Sequence, residues 1–204
     1  MIREKIDAVL LNAVRCCSID KQNVIVYVNN IRNFRQFSQF TVVREYPFIS
    51  AVGINCFSYE IENLSLLPYV EYITAGSHVF MLKEHIPESV NELKYIRRLT
   101  GKGVTLCIMD TGIQPHLDLC MPVNRIIHFI DVETNIEYPN DDNGHGTFVA
   151  GVSAGNGIVS GRKITGVAPE ANLVGVKVIR ENGESGAFAV LDGMQWVVNN
   201  RRRL

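Results

Sequence analysis

Three runs of apolar residues, continuous rather than alternating, limit what this chain can fold into. They are VTLCIM (Val104–Met109), RIIHFIDV (Arg125–Val132) and NLVGVKVI (Asn172–Ile179). Successive side chains of a strand point to opposite faces, so a run that is apolar throughout predicts a strand covered on both sides. Between the second and third runs lies GTFVAGVSAG (Gly146–Gly155), which is rich in small residues and reads as a helix. After the third comes SGAFAVLDGMQWVVNN, in which Phe188, Leu191, Gln195 and Val198 share one helical face. Strands that alternate with helices predict a parallel, doubly wound α/β sheet.

The first part of the chain reads differently. Ile2, Ile6, Val9, Leu10, Ala13 and Val14 recur at helical spacing and predict an amphipathic helix over residues 3–14. VIVYV (Val24–Val28) is a β-branched strand, and Phe34, Phe37 and Phe40 follow on one face of a helix. FTVVREYPF and SAVGINCF read as two strands around Pro47, IENLSLLPY as a short helix, and YVEYITA as a last strand. The order β-α-β-β-α-β predicts a small α+β, ferredoxin-like unit over about residues 22–76. Residues 77–100 are polar and predict a connection with a helical turn or two. The expected organisation is an N-terminal helix (1–21), the ferredoxin-like domain (22–80) and the α/β block (81–204).

A net charge of −1 gives no basis for binding nucleic acid or a membrane surface. The five cysteines form an odd set without metal-type spacing, which points to a reduced compartment, with Cys107 read as a buried thiol. The N-terminus holds no signal-type apolar stretch and nothing reaches membrane-spanning length, so the expected location is cytoplasmic.

Chemistry gathers at two places. Asp110, in CIMDTGI, ends the first buried strand, and sites in open parallel sheets lie at the carboxyl ends of strands. Asp-Thr-Gly also occurs in aspartic proteases, where two carboxylates share a site; one such motif here would require a homodimer. His145, in DDNGHGTFVAG, opens the small-residue helix. The positive end of a helix disfavours an imidazolium and suits a ring that must begin as a neutral base. Gly144 and Gly146 are expected to leave that ring room for a substrate backbone, and Asp141-Asp142 read as a solvated turn.

VTLCIMDTGI and NGHGTFVAG resemble the aspartate and histidine motifs of the subtilisin-like serine proteases, and ITGVAPEANLVGVKVI and GMQWVVNN resemble the segments that follow them. The resemblance covers about residues 95–200 and is closest to the intracellular type. It implies a serine-type endopeptidase acting on polypeptide, with His145 as general base and Asp110 as the acid that orients it. The chain order of such a triad, Asp, His, Ser, is met for its first two members. The nucleophile is expected in a Gly-Thr-Ser motif that these 204 residues do not contain, and the oxyanion Asn belongs to a later segment as well. The chain is therefore expected to be the N-terminal piece of such a protease, inactive alone. By the same resemblance, the ferredoxin-like block implies an inhibitory propeptide that binds its own catalytic domain. A non-catalytic inhibitor or folding chaperone is the alternative. ENGES resembles the edge segment that pairs with substrate, placing Gly183, Glu184 and Ser185 as substrate-binding residues; a plain surface turn is the other reading. Asp118 matches a calcium ligand of some members, but GNGIVSGRKITG departs from their calcium loop, so no metal or cofactor is assigned.

Overall fold

The computed structural model describes residues 5–15, 20–80 and 99–204. Cys16, Cys17 and most of the expected 77–100 connection lie outside them. The described chain forms two compact units, one built from the residues up to His78 together with Gly186–Val198, the other from Val79–Ser185 with Asn199–Leu204.

In the first unit, helix α1 (Ala8–Arg15) is followed by strand β1 (Gln22–Val28), a 3-10 helix (Ile31–Phe37), β2 (Val42–Tyr46), β3 (Ala51–Cys56), α2 (Ser58–Leu66) and β4 (Val70–Ala75). The strands pair antiparallel in the order β2-β3-β1-β4, with Val26 opposite both Val52 and Ile73. The first helical position is thus a 3-10 turn: Asn30 caps it by accepting the Arg32 N–H, and Phe34 and Phe37 face inward from it. Alternation along β1 splits the apolar side chains between two faces. Val24, Val26 and Val28 pack with Leu10, Phe37, Ile54, Ile61, Leu64 and Ile73, while Ile25 packs with Tyr46 and Ala51 on the other side. Full burial of each such side chain contributes about 1.5–3 kcal/mol.

That second face is covered by helix α5 (Ala187–Asn200), whose Phe188 and Leu191 pack against it. The Tyr46 hydroxyl donates to Asp192 at 3.0 Å, and the Tyr46 and Phe188 rings lie 6.4 Å apart. Helix α1 begins later than the spacing predicts, because Lys5–Asp7 run beside β4. Ile73 N–H donates to Lys5 O at 2.7 Å and Asp7 N–H to Ile73 O at 3.0 Å. Asp7 then caps α1, its Oδ1 accepting from the N–H groups of Val9 and Leu10 at 2.8 and 2.9 Å.

The second unit holds β6 (Thr105–Asp110), a short helix α3 (Leu117–Cys120), β7 (Ile126–Asp131), α4 (His145–Ala154) and β8 (Asn172–Lys177). The sheet is parallel, as the apolar runs predict, in the order β6-β8-β7. Asp110 and Asp131 both stand level with Lys177, so all three strands end on one line. Only β8 is buried along nearly its whole length. In β6 the inner face (Ile108, Asp110) is buried and Cys107 is exposed, which corrects the expectation of a buried thiol there. The reason is its place in the sheet: among the described residues β6 stands at an edge and has one covered face. Ala150 and Ala154 of α4 have no exposed surface, so small side chains bring this helix close to the sheet. Short strands β5 (His78–Phe80) and β9 (Glu184–Gly186) pair with each other; Val79, Phe80, Glu184 and Ser185 belong to the second unit. Among the described residues no helix is long and apolar enough to cross a membrane.

Candidate active site

The parallel sheet delivers Asp110 at the carboxyl end of β6, and the turn after β7 delivers His145 as the first residue of α4. The His145 Nδ1 lies 2.7 Å from Asp110 Oδ1, although 35 residues separate them. Both side chains are largely withdrawn from solvent, at 15 and 12% exposed. Asp110 Oδ1 also accepts the Thr111 N–H at 2.7 Å. An ionised carboxylate can only accept, so the pairing assigns the proton of a neutral ring to Nδ1 and makes Nε2 the basic nitrogen. Such an arrangement can serve as a general base whose tautomer and orientation are held by an acid.

The surroundings of the pair hold residues whose contacts the motifs around Asp110 and His145 do not reveal. Thr111 is fully buried: its hydroxyl donates to Asp141 at 2.8 Å and accepts the Gly146 N–H at 2.9 Å. Asp141 also receives the N–H groups of Gly144 and Thr147, each at 2.8 Å. Burial pushes the Asp141 carboxyl up, but the Thr147 hydroxyl, the Gly144 and Thr147 N–H groups and the Thr111 hydroxyl outweigh it, and the net shift is downward. Lys177 is 7% exposed, and its ammonium donates to Thr111 O at 2.7 Å and to Asp142 at 2.6 Å. The expected solvated turn holds for Asp142, Asn143 and Gly144, which are exposed, but not for Asp141. Asp141 is bound on both oxygens, and Asp142 is the partner of a buried cation. A run of Asx residues just before a helix is the available signal, but polar turns share it.

The role expected for Gly146 changes too. A Cβ there would meet Gly112 O at 2.1 Å, so Gly146 lets α4 approach the end of β6 and makes no room for substrate. Gly183 has φ +80, the left-handed conformation that admits glycine readily. Ser185 is buried with its hydroxyl donated to Val178 O, while Glu184 is exposed. The side chain of Asn143 donates to Glu181 O at 2.7 Å, tying the His145 turn to this 181–186 segment.

Asp118 is hydrogen-bonded within its own loop region. Its Oδ1 accepts the Val159 N–H at 2.8 Å, and Asn156 Oδ1 accepts the Ile158 N–H at 3.0 Å. Its main-chain oxygen takes the buried Arg125 guanidinium at 2.5 Å and the Asn156 N–H at 3.0 Å. Three oxygens here, Asp118 Oδ1, the Asp118 main-chain oxygen and Asn156 Oδ1, are thus met by donors of the protein. Among the described residues there is no group of three or more His, Cys, Asp or Glu able to hold a metal.

Comparison with known proteins agrees with this geometry. The model of the subtilase family (peptidase S8) matches residues 101–204, about half of the chain and all of the candidate site. The chain belongs to the subtilase family. This subtilase is 38% identical over 154 residues to serine protease AprX of Bacillus subtilis (strain 168), covering 71% of this chain and 34% of that protein. It is 32% identical over 167 residues to alkaline elastase YaB of Bacillus sp. (strain YaB), covering 79% of this chain and 42% of that one. The subtilase thus spans well under half the length of these curated relatives. In fold it resembles fervidolysin from Fervidobacterium pennivorans, a keratinolytic enzyme related to subtilisin, with a TM-score of 0.63, 20% identity, and 88% of this chain and 34% of that one covered. It also resembles the epidermin leader peptide processing serine protease of Staphylococcus aureus, with a TM-score of 0.62, 19% identity, and 89% of this chain and 48% of that one covered.

Proposed function

We propose that this chain carries the acid–base part of a serine-type endopeptidase acting on polypeptide in the cytoplasm. In this reading His145 takes a proton from a serine hydroxyl through Nε2, and Asp110 holds the ring and stabilises its charged form. The observation that carries it is the 2.7 Å pairing of His145 Nδ1 with Asp110, at the end of a parallel strand in a member of the subtilase family. The 204 residues contain no Gly-Thr-Ser motif to supply the nucleophile, so the chain alone should hydrolyse no peptide bond.

The reading extends to substrate and propeptide. Gly183, Glu184 and Ser185 are proposed to hold an extended polypeptide by strand addition. The pairing of β9 with β5 supports this, since an extended segment already lies along that edge. Residues 22–80 are proposed to be a ferredoxin-like propeptide, with β5 in the place of substrate. Its own apolar core supports a separately folding inhibitor.

Joining residues 1–200 to the remaining C-terminal part of serine protease AprX tests the proposal. The chimaera should cleave peptides and respond to serine-protease inhibitors. His145→Ala and Asp110→Ala should each lower kcat by about 10⁴–10⁶, the scale measured for triad removals in subtilisin. Undiminished turnover in the H145A chimaera would sink the assignment. A folded but inert chimaera would favour the non-catalytic inhibitor.

A further inference from the structure

The structure assigns Asp141 as a positioning residue: it ties the loop of His145 to the loop of Asp110 through the Thr111 hydroxyl. This inference rests on reading Asp110 and His145 as a catalytic pair, and it names the group that sets their separation. The pair comes from two elements, β6 and α4, and a 2.7 Å contact between side chains holds only if the two backbones are tied as well. The tie runs through the residues next in sequence to each member. Thr111 follows Asp110, Gly146 follows His145, and the Thr111 hydroxyl accepts the Gly146 N–H at 2.9 Å.

Asp141 orients that hydroxyl. It takes its proton at 2.8 Å on Oδ1, which also accepts the N–H groups of Gly144 at 2.8 Å and Asn143 at 3.3 Å. Its Oδ2 accepts the Thr147 N–H at 2.8 Å and the Thr147 hydroxyl at 2.5 Å. Bonds to an ionised acceptor are roughly twice as strong as neutral ones. The downward shift of the Asp141 carboxyl keeps it in that form. A bridge between Gly112 and Asp141, with Ile113 N–H donating to Asn140 O at 3.1 Å, aligns the same two loops along the main chain. Capping a helix takes a single acceptor for an N–H of its first turn. Asp141 meets that need with Thr147 and reaches across to Thr111 besides. The second contact adds a side-chain tie between the loop before α4 and the loop after β6.

The test uses the full 204-residue chain with its five histidines labelled with ¹⁵N. An N–H held by a carboxylate is deshielded and slow to exchange, so His145 should give a far-downfield proton signal that Asp110→Asn removes. Asp141→Ala should abolish that signal, and Asp141→Asn, which turns one acceptor into a donor, should weaken it. Leu119→Ala opens the core of the same unit away from the bridge and should leave the signal in place at a comparable loss of thermal stability. If D141A does not fold, Thr111→Val removes the bridging hydroxyl alone and should abolish the signal in a folded chain. A signal unchanged in D141A, D141N and T111V, or lost equally in L119A, overturns the positioning role and leaves the pair intact. No downfield signal in the unaltered chain removes the pair itself, and the positioning role with it.

Discussion

At the level of single residues, the site depends on how closely backbone can approach backbone. Gly146 is the sharpest case. Its neighbour at 2.1 Å from an added Cβ is a main-chain oxygen, which has no rotamer to swing away. Gly146→Ala should therefore cost about 1–3 kcal/mol, as overpacking does in a well-packed core. Urea unfolding should show a lower midpoint with an unchanged slope. A G146A chain as stable as the original would mean that α4 has slack against β6. Asp110 and His145 are legible in the sequence because each sits at a place with its own mark, the end of an apolar run and the start of a small-residue helix. Lys177 is not, because its role arises between elements, and Thr111, although inside Asp-Thr-Gly, carries no mark of the carboxylate its hydroxyl meets. Lys177 donates to a carbonyl 66 residues earlier in the chain, and a lysine in an apolar strand carries no sign of which carbonyl it will meet.

Among the elements, α1 shows how one carboxylate can hold a helix to a sheet. Besides capping the helix with Oδ1, Asp7 accepts the Thr74 hydroxyl and the Ala75 N–H on Oδ2, both at 2.7 Å. Burial raises its pKa, but the bonds from Thr74, Leu10, Ala75 and Val9 outweigh it, so the net shift is downward. A carboxyl lowered in the folded state stabilises the fold above its unfolded value, near 3.9, and that contribution is lost as pH falls through the lowered folded value. Asp7→Asn should remove part of this acid sensitivity, and Asp7→Ala should cost about 1 kcal/mol for the cap alone. Thermal melts at pH 7 and at pH 3 check both: the gap between D7N and the original chain should narrow at the lower pH, and a constant gap would contradict the linkage. The antiparallel strands can be read from alternation and turn residues. The first helix after β1 cannot be read fully. Phe34, Phe37 and Phe40 are spaced three apart, which suits a 3-10 turn as well as an α-helix, and the chain takes the former.

For the molecule as a whole, the apolar runs name the parallel sheet correctly but cannot say which strand stands at its edge. That depends on strand order, here β6-β8-β7, and it leaves Cys107 of β6 in solvent. An edge strand with apolar side chains invites pairing with another chain, and lysine is a common guard against it. Under reducing conditions the protein should associate as its concentration rises. Cys107→Lys should weaken that association by roughly tenfold, about 1.4 kcal/mol, whereas Cys107→Ser should not. Sedimentation equilibrium would read the difference, and equal association constants for all three chains would place the contact elsewhere. The packing of α5 on the first unit, finally, has a consequence in time. Tyr46 and the Asp192 that accepts its hydroxyl proton are 146 residues apart. At about 5–20 residues per second, a ribosome needs roughly 7–30 s to pass from one to the other. During that interval Tyr46, Ile25 and Ala51 have left the exit tunnel and α5 has not yet been made. A nascent chain stalled at Gly186 should therefore bind the chaperones that hold apolar surface, and a chain released with α5 complete should let them go.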